Sequence, residues 1–431
     1  IDFVPNHVAR SYKSTSKPNN IADLGENDDC NLSFSPQNNF YYLPGESFIV
    51  PSAQYFEKPY SEFPAKVTGN DCFMASPTQN DWYETVKLNY GVDYLNGGAK
   101  HFDPIPDTWK KMTNILLFWA EKGVDGFRCD MAEMVPVEFW NYAIITVKNK
   151  YPEIIFVAEV YDPKQYRSYI HQGGFDLLYD KVGLYDTLRG IIDGHKWAND
   201  ITNCWQSVDD FKDRMLYFLE NHDEQRFASR FFASDPWRAF PALVVSACME
   251  KSSYMHYFAQ ELGESAPNAQ GFSGDDGRTS IFDYCAVETH QNWMNDGKFD
   301  GALLTEDQKN LRSTYTSILN LALKNETVQN GAFYDLQWCN RDSENYNGRF
   351  IYSFLRYTKD EVLLFVVNFD TNPQTVKLVL PEDALKLSGL SAKSNAKLLL
   401  ATDDCEMISD SGISFVLGAN GVVVVCWQSI V

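Results

Sequence analysis

Between residues 103 and 263, short apolar runs that end in polar residues alternate with longer amphipathic stretches, and this alternation most limits the folds open to the chain. A strand that is apolar on both faces must be covered on both. A helix that carries the chain back to the same end of the sheet provides that cover, so the pattern predicts βα units around a parallel sheet. The strand candidates are 124–130, 154–160, 175–180, 215–223 and 254–260. Helices are expected from Asp107, just behind Pro106, to a stop at Gly123, from Pro236 onward, and over 306–324. Residues 8–102 carry Pro, Asn, Gly and Ser clusters with many aromatics and no sustained period, which predicts an irregular inserted domain. After about residue 331 the runs become closely spaced and alternating, at 350–356, 362–368, 375–380, 397–401, 413–417 and 422–427. They predict a separate antiparallel β-sandwich over 331–431, with 1–330 as the domain it follows.

The strand candidates end in the residues that carry chemistry. A (β/α)8 barrel uses about 31 residues per unit. Asp130 and Glu159 lie about one unit apart, and Glu159 and Asp223 about two, with the run 175–180 between them. Asp2 precedes Asp130 by about one unit plus the length of the inserted segment. The count predicts an α/β TIM (β/α)8 barrel whose third to eighth strands are present, with two more expected ahead of Ile1. Within 124–130, Arg128 and Asp130 share a face while Phe127 and Cys129 point toward the covering helices. Glu159 ends an apolar strand, where burial raises a carboxyl pKa and keeps a proton available. In Asn221-His222-Asp223, an imidazole beside a carboxylate can donate to and accept from sugar hydroxyls. Two carboxylates flanking one bond, with further polar groups gripping hydroxyls, are equipment for glycoside cleavage.

Four segments, Asp2-Phe3-Val4-Pro5-Asn6-His7, Gly126-Phe127-Arg128-Cys129-Asp130, Phe156-Val157-Ala158-Glu159 and Asn221-His222-Asp223, resemble in order the signature regions of the α-amylase family, glycoside hydrolase family 13. The run 254–263 also resembles that family's eighth strand. The resemblance implies Asp130 as nucleophile, Glu159 as general acid and base, and Asp223 as the carboxylate gripping the distorted sugar. It also implies that Arg128 orients Asp130, that His7 and His222 bind sugar hydroxyls, and that Asp2 supports the loop after its strand. The expected outcome is retention through a covalent glycosyl-enzyme on an α-glucan or malto-oligosaccharide, with α-glucosidase or transglycosylase action as the alternative on the same site. A sugar-binding or partner scaffold would have little reason to keep all three acids. No cofactor is implied for the chemistry. Asn6 is the candidate ligand for the family's structural calcium, but Lys87-Leu88-Asn89 puts an ammonium where an acid is expected, which disfavours calcium there. Glu133-Met134 stands where many α-amylases carry Lys-His, a departure from simple starch-liquefying members.

Composition narrows the partners. The 431 residues carry a formal net charge of -21, so counterion release from a phosphate backbone cannot drive binding, and nucleic acid is excluded. Anionic membrane surfaces would repel the chain, and no run of about 18 apolar residues is present to span a bilayer. The 9 cysteines include no C-x-x-C pair, and Cys129, Cys248 and Cys426 sit in apolar runs where buried thiols are expected.

Overall fold

The computed structural model describes residues 1–51, 60–282, 284–390, 396–402, 406–408 and 413–428. The chain divides into two compact units, Ile1–Tyr179 and Asp180–Val431.

The first unit is built on four short strands, β1 (Asp2–Phe3), β2 (Gly126–Cys129), β3 (Ile155–Ala158) and β4 (Leu177–Tyr179), parallel and adjacent in that order. Helix α1 (Asp107–Glu121) precedes β2 and helix α2 (Val137–Lys150) joins β2 to β3, which are the expected βα connections. The first helix starts behind Pro106, buries Trp109, Met112 and Leu116 on one face, and stops short of Gly123, whose φ of 85° is left-handed. The second starts behind Pro136 and buries Phe139, Trp140, Ala143, Ile144 and Val147. A Cβ on Gly126 would meet the Ile155 carbonyl oxygen at 2.7 Å, so only glycine allows β2 to lie this close to β3. Between β1 and α1 the chain is irregular, as expected. It forms three small antiparallel ladders, His7–Ala9 with Thr85–Lys87, Tyr42–Leu43 with Ala65–Lys66, and Val92–Asp93 with Ala99–Lys100.

In the second unit β5 (Met215–Phe218) and β6 (Ser253–Met255) are parallel, with helix α3 (Phe240–Cys248) between them in sequence. Helix α4 (Glu306–Lys324) has the bounds expected of it, because Thr305 and Gln308 form a capping box at its start. Two antiparallel sheets follow. One contains β7 (Ala332–Asp335), β8 (Ile351–Tyr357), β9 (Glu361–Asn368) and β11 (Ala396–Ala401) with β14 (Val422–Gln428) placed between β9 and β11. The other orders β10 (Gln374–Leu378), β13 (Ile413–Leu417) and β12 (Glu406–Ile408). Ile351, Leu355, Leu364 and Val425 from the first sheet share one apolar cluster with Val376, Phe415 and Leu417 from the second, so the two sheets form the expected sandwich.

All five expected parallel strands are shorter than the runs that predicted them, the last two by the most. The run 215–223 stops at Phe218, and the Asn221 side-chain oxygen then accepts from the N–H groups of Asp223 and Glu224, a turn that competes with continued pairing. The run 254–260 stops at Met255, before the left-handed Ala259. A short helix at Glu382–Ser388, behind Pro381, was not expected. Cys129, Cys248 and Cys426 are buried, and the cysteines among the described residues are free thiols; Cys405 lies outside those residues. Among the described residues no helix is long and apolar enough to cross a membrane.

Candidate active site

Because β2 and β3 run parallel with Cys129 opposite Ala158, the residues just beyond their C-terminal ends, Asp130 and Glu159, are brought side by side. Strand alternation buries Phe127 and Cys129 and turns Arg128 to the same side as Asp130, as expected. The Arg128 guanidinium then becomes the centre of the cluster. Its Nη1 lies 2.6 Å from Asp130 Oδ1 and 3.1 Å from Asp2 Oδ1, and its Nη2 lies 2.9 Å from Glu159 Oε2. Burial works against the arginine's charge, but Glu159, Tyr179, Asp2 and Asp130 outweigh it and push the guanidinium pKa up. The charge on Arg128 is therefore fixed, and three carboxylates are anchored to it.

Glu159 is 2% exposed, the burial expected for it. Its Oε2 also accepts from the Met131 N–H at 2.8 Å, and its Oε1 accepts from the Tyr161 hydroxyl at 2.5 Å. Met131 presents that N–H from a φ of 42°, a strained conformation for a side-chain-bearing residue, directly after Asp130. Glu133 sits behind: its Oε2 accepts from the N–H groups of Tyr161 and Asp162, at 3.1 and 2.9 Å. Met131 and Tyr161 were missed in the expected site, and Glu133 was noted only as a departure from Lys-His. Tyr161 carried a usable signal, since it lies two residues beyond Glu159, the spacing that returns a side chain to the same side of an extended backbone.

Asn6 and His7 lie where β1 leads into the first small ladder. Asn6 is buried; its amide nitrogen donates to the Gly69 carbonyl at 2.8 Å and lies 3.3 Å from His7 Nδ1. Burial, then the positive charge of Lys87, lowers the His7 pKa to about 4, so its ring is neutral near pH 7. Trp82 stands beside that ring, with centroids 5.4 Å apart. Lys87 is 1% exposed, and its Nζ donates to Asn6 Oδ1 at 3.0 Å while pairing with Asp71 Oδ1 at 2.6 Å.

In the second unit the loop after β5 brings His222 and Asp223 together, with Nε2 and Oδ2 3.1 Å apart. Arg278 holds this loop from behind, its Nε donating to the Asp223 carbonyl at 2.6 Å, and the Phe282 ring stands 6.4 Å from the imidazole. Thus Arg128, Asp130, Glu159 and Asp2 converge within the first unit, Asn6 and His7 join Lys87 there, and His222 and Asp223 pair within the second.

Parallel strands that place their carboxylates just past their C-terminal ends, with an antiparallel sandwich later in the chain, define a βα-barrel type of protein whose chemistry sits on strand-end loops. The family profile "Alpha amylase, catalytic domain" matches residues 1–295. The chain belongs to the α-amylase family. It is 30% identical over 89 residues to an alpha-1,4-glucan:maltose-1-phosphate maltosyltransferase of Cereibacter sphaeroides, a match covering 21% of this chain and 15% of that protein. It is 24% identical over 307 residues to alpha-amylase 3 of Dictyoglomus thermophilum, covering 66% of this chain and 58% of that protein. Among solved structures, the native debranching enzyme of Nostoc punctiforme superimposes with a TM-score of 0.63 at 16% identity, covering 99% of this chain and 75% of that one. The acarbose-bound alpha-amylase of Geobacillus thermoleovorans gives 0.57 at 18% identity, covering 81% and 67%. The fold is that of a TIM barrel with a C-terminal β domain.

Proposed function

We propose that this protein is a retaining glycoside hydrolase that cleaves α-glucosidic bonds in starch-like α-glucans or malto-oligosaccharides. The observation that carries the reading is the pair Asp130 and Glu159, side by side past two adjacent strand ends and both ion-paired to Arg128. In this reading Asp130 attacks the anomeric carbon while Glu159 gives its proton to the departing glycosidic oxygen. Glu159 then takes a proton from water, and the resulting hydroxide displaces Asp130, which restores both carboxyl groups and leaves the α-configuration. Arg128 holds Asp130 in place through their ion pair. Asp223 and its neighbour His222 serve hydroxyls of the sugar from the second unit, and the neutral imidazole of His7 has the chemistry to serve a sugar hydroxyl from the first.

Calcium does not fit at Asn6. The Lys87 side chain already donates to the one side-chain oxygen that Asn6 could offer, and an ammonium cannot share that oxygen with a cation. The chemistry proposed here needs no metal.

A transglycosylase on the same site is the second reading, favoured by the maltosyltransferase named among the relatives. Incubation with maltoheptaose, pullulan and maltose, with product size and anomeric form followed by NMR, separates the two. Short products released first as α-anomers support hydrolysis, and longer chains support transfer. In either case Glu159→Gln is expected to lower kcat on unactivated substrate by at least about a hundredfold. Full activity in that variant would remove Glu159 from the role.

A further inference from the structure

Glu159 has two oxygens with different surroundings. Oε2 faces Arg128 Nη2 at 2.9 Å and accepts the Met131 N–H at 2.8 Å, so a proton placed there would meet two donors. Oε1 is the oxygen left to carry a proton, and it is the one that Tyr161 reaches at 2.5 Å. Tyr161 does not hold this position by its ring alone: Glu133 receives the backbone N–H groups of both Tyr161 and Asp162. Glu133 is tied down in turn, because the Tyr169 hydroxyl donates to its carbonyl at 3.1 Å and to that of Val135 at 2.8 Å.

We propose that Tyr161, positioned by Glu133, selects Oε1 as the proton-carrying oxygen of Glu159 and holds it toward the leaving group. The inference rests on the general acid role proposed above for Glu159. A hydroxyl can serve both states of that acid, donating to Oε1 when the carboxylate is bare and rotating to accept when Oε1 donates to the glycosidic oxygen. Tyr161 is then a positioning residue, and Glu133 is the brace that holds its backbone.

The test compares the wild type with Tyr161→Phe, Glu133→Ala and Glu133→Gln on two substrates, a malto-oligosaccharide with a poor leaving group and a dinitrophenyl α-maltoside whose departure needs no proton. Tyr161→Phe and Glu133→Ala are expected to lower kcat about tenfold on the first substrate and little on the second, as for loss of one hydrogen bond to a charged group. The alkaline limb of the pH–rate profile should move upward in Tyr161→Phe, because a donor to the carboxylate is gone. Glu133→Gln keeps an acceptor oxygen and should recover most of what Glu133→Ala loses. Equal losses on both substrates with an unmoved pH profile would mean a purely structural role and would overturn the proposal, as would wild-type kinetics in Tyr161→Phe. A wild type inactive on both substrates would instead remove the hydrolase reading, and this inference with it.

Discussion

His7 shows how a single side chain can bind the site's chemistry to pH. Its pKa, lowered to about 4 by burial and by Lys87, lies below the ordinary value of 6.5 that it regains on unfolding. Between those values the unfolded chain binds the proton and the folded one does not, so stability is complete above about pH 6.5 and is lost as pH falls toward 4. The difference corresponds to about 3 kcal/mol. Chemical denaturation at pH 7.5 and pH 5 is expected to show His7→Gln losing less stability than the wild type across that interval. Equal slopes for the two proteins would mean that the ring is already free to protonate when folded. The same ring must be neutral to exchange hydrogen bonds with a sugar hydroxyl in both directions, so the environment that makes it sensitive to acid also suits it to the proposed binding role.

At the scale of elements, Lys87 ties the inserted segment to the end of β1, spanning from Asn6 on one side to Asp71 on the other. Lys87→Met would leave the Asn6 oxygen and a partly exposed carboxylate without their cation, at a cost of about 2 kcal/mol. Thermal melting should show that loss, while the wild-type Tm should stay the same with calcium or with a chelator present. A wild type stabilised by calcium would place a metal elsewhere in the segment. Which elements were readable in the sequence follows the same physics. Helix α4 was legible as a helical run at about 306–324, whose start the structure shows fixed by a capping box of Thr305 and Gln308, and the sandwich strands were legible because alternation recurs through them. The two- and three-residue ladders between β1 and α1 have no period to read, since pairing rather than propensity makes them. In the site, Arg128 and Asp130 followed from strand alternation. The Met131 N–H and the Glu133 brace did not, because both depend on loop dihedrals that residue types alone do not specify.

At the scale of the whole molecule, a net charge of -21 makes every added negative charge work against compactness, and the most telling place to test this is an acid that is buried. Glu250 follows α3 in the second unit and is 5% exposed, its Oε1 3.5 Å from Lys212 Nζ. Nearby, the buried Arg356 of β8 donates to the carbonyls of Cys248 and Met249, at 3.3 and 3.0 Å, so this is where the sandwich grips the segment after α3. Burial raises the Glu250 pKa from 4.5 to about 7, and Lys212 and Arg356 bring it only part of the way back. Here the sign is opposite to that of His7. The folded chain holds the proton between the two values, so stability is complete below about pH 4.5 and is lost as pH rises through about 7. Glu250→Gln removes the charge that must otherwise be buried. It is expected to be more stable than the wild type by about 3 kcal/mol at pH 8, with the gain shrinking to nothing near pH 4.5, as read by urea denaturation at a series of pH values. A gain that is the same at every pH would indicate better packing of the amide, and a loss at pH 8 would mean that attraction to Lys212 and Arg356 exceeds the cost of burial. The wild-type trace is then the resultant of two opposed buried groups, with acid weakening the unit that holds His7 and alkali weakening the unit that holds Glu250.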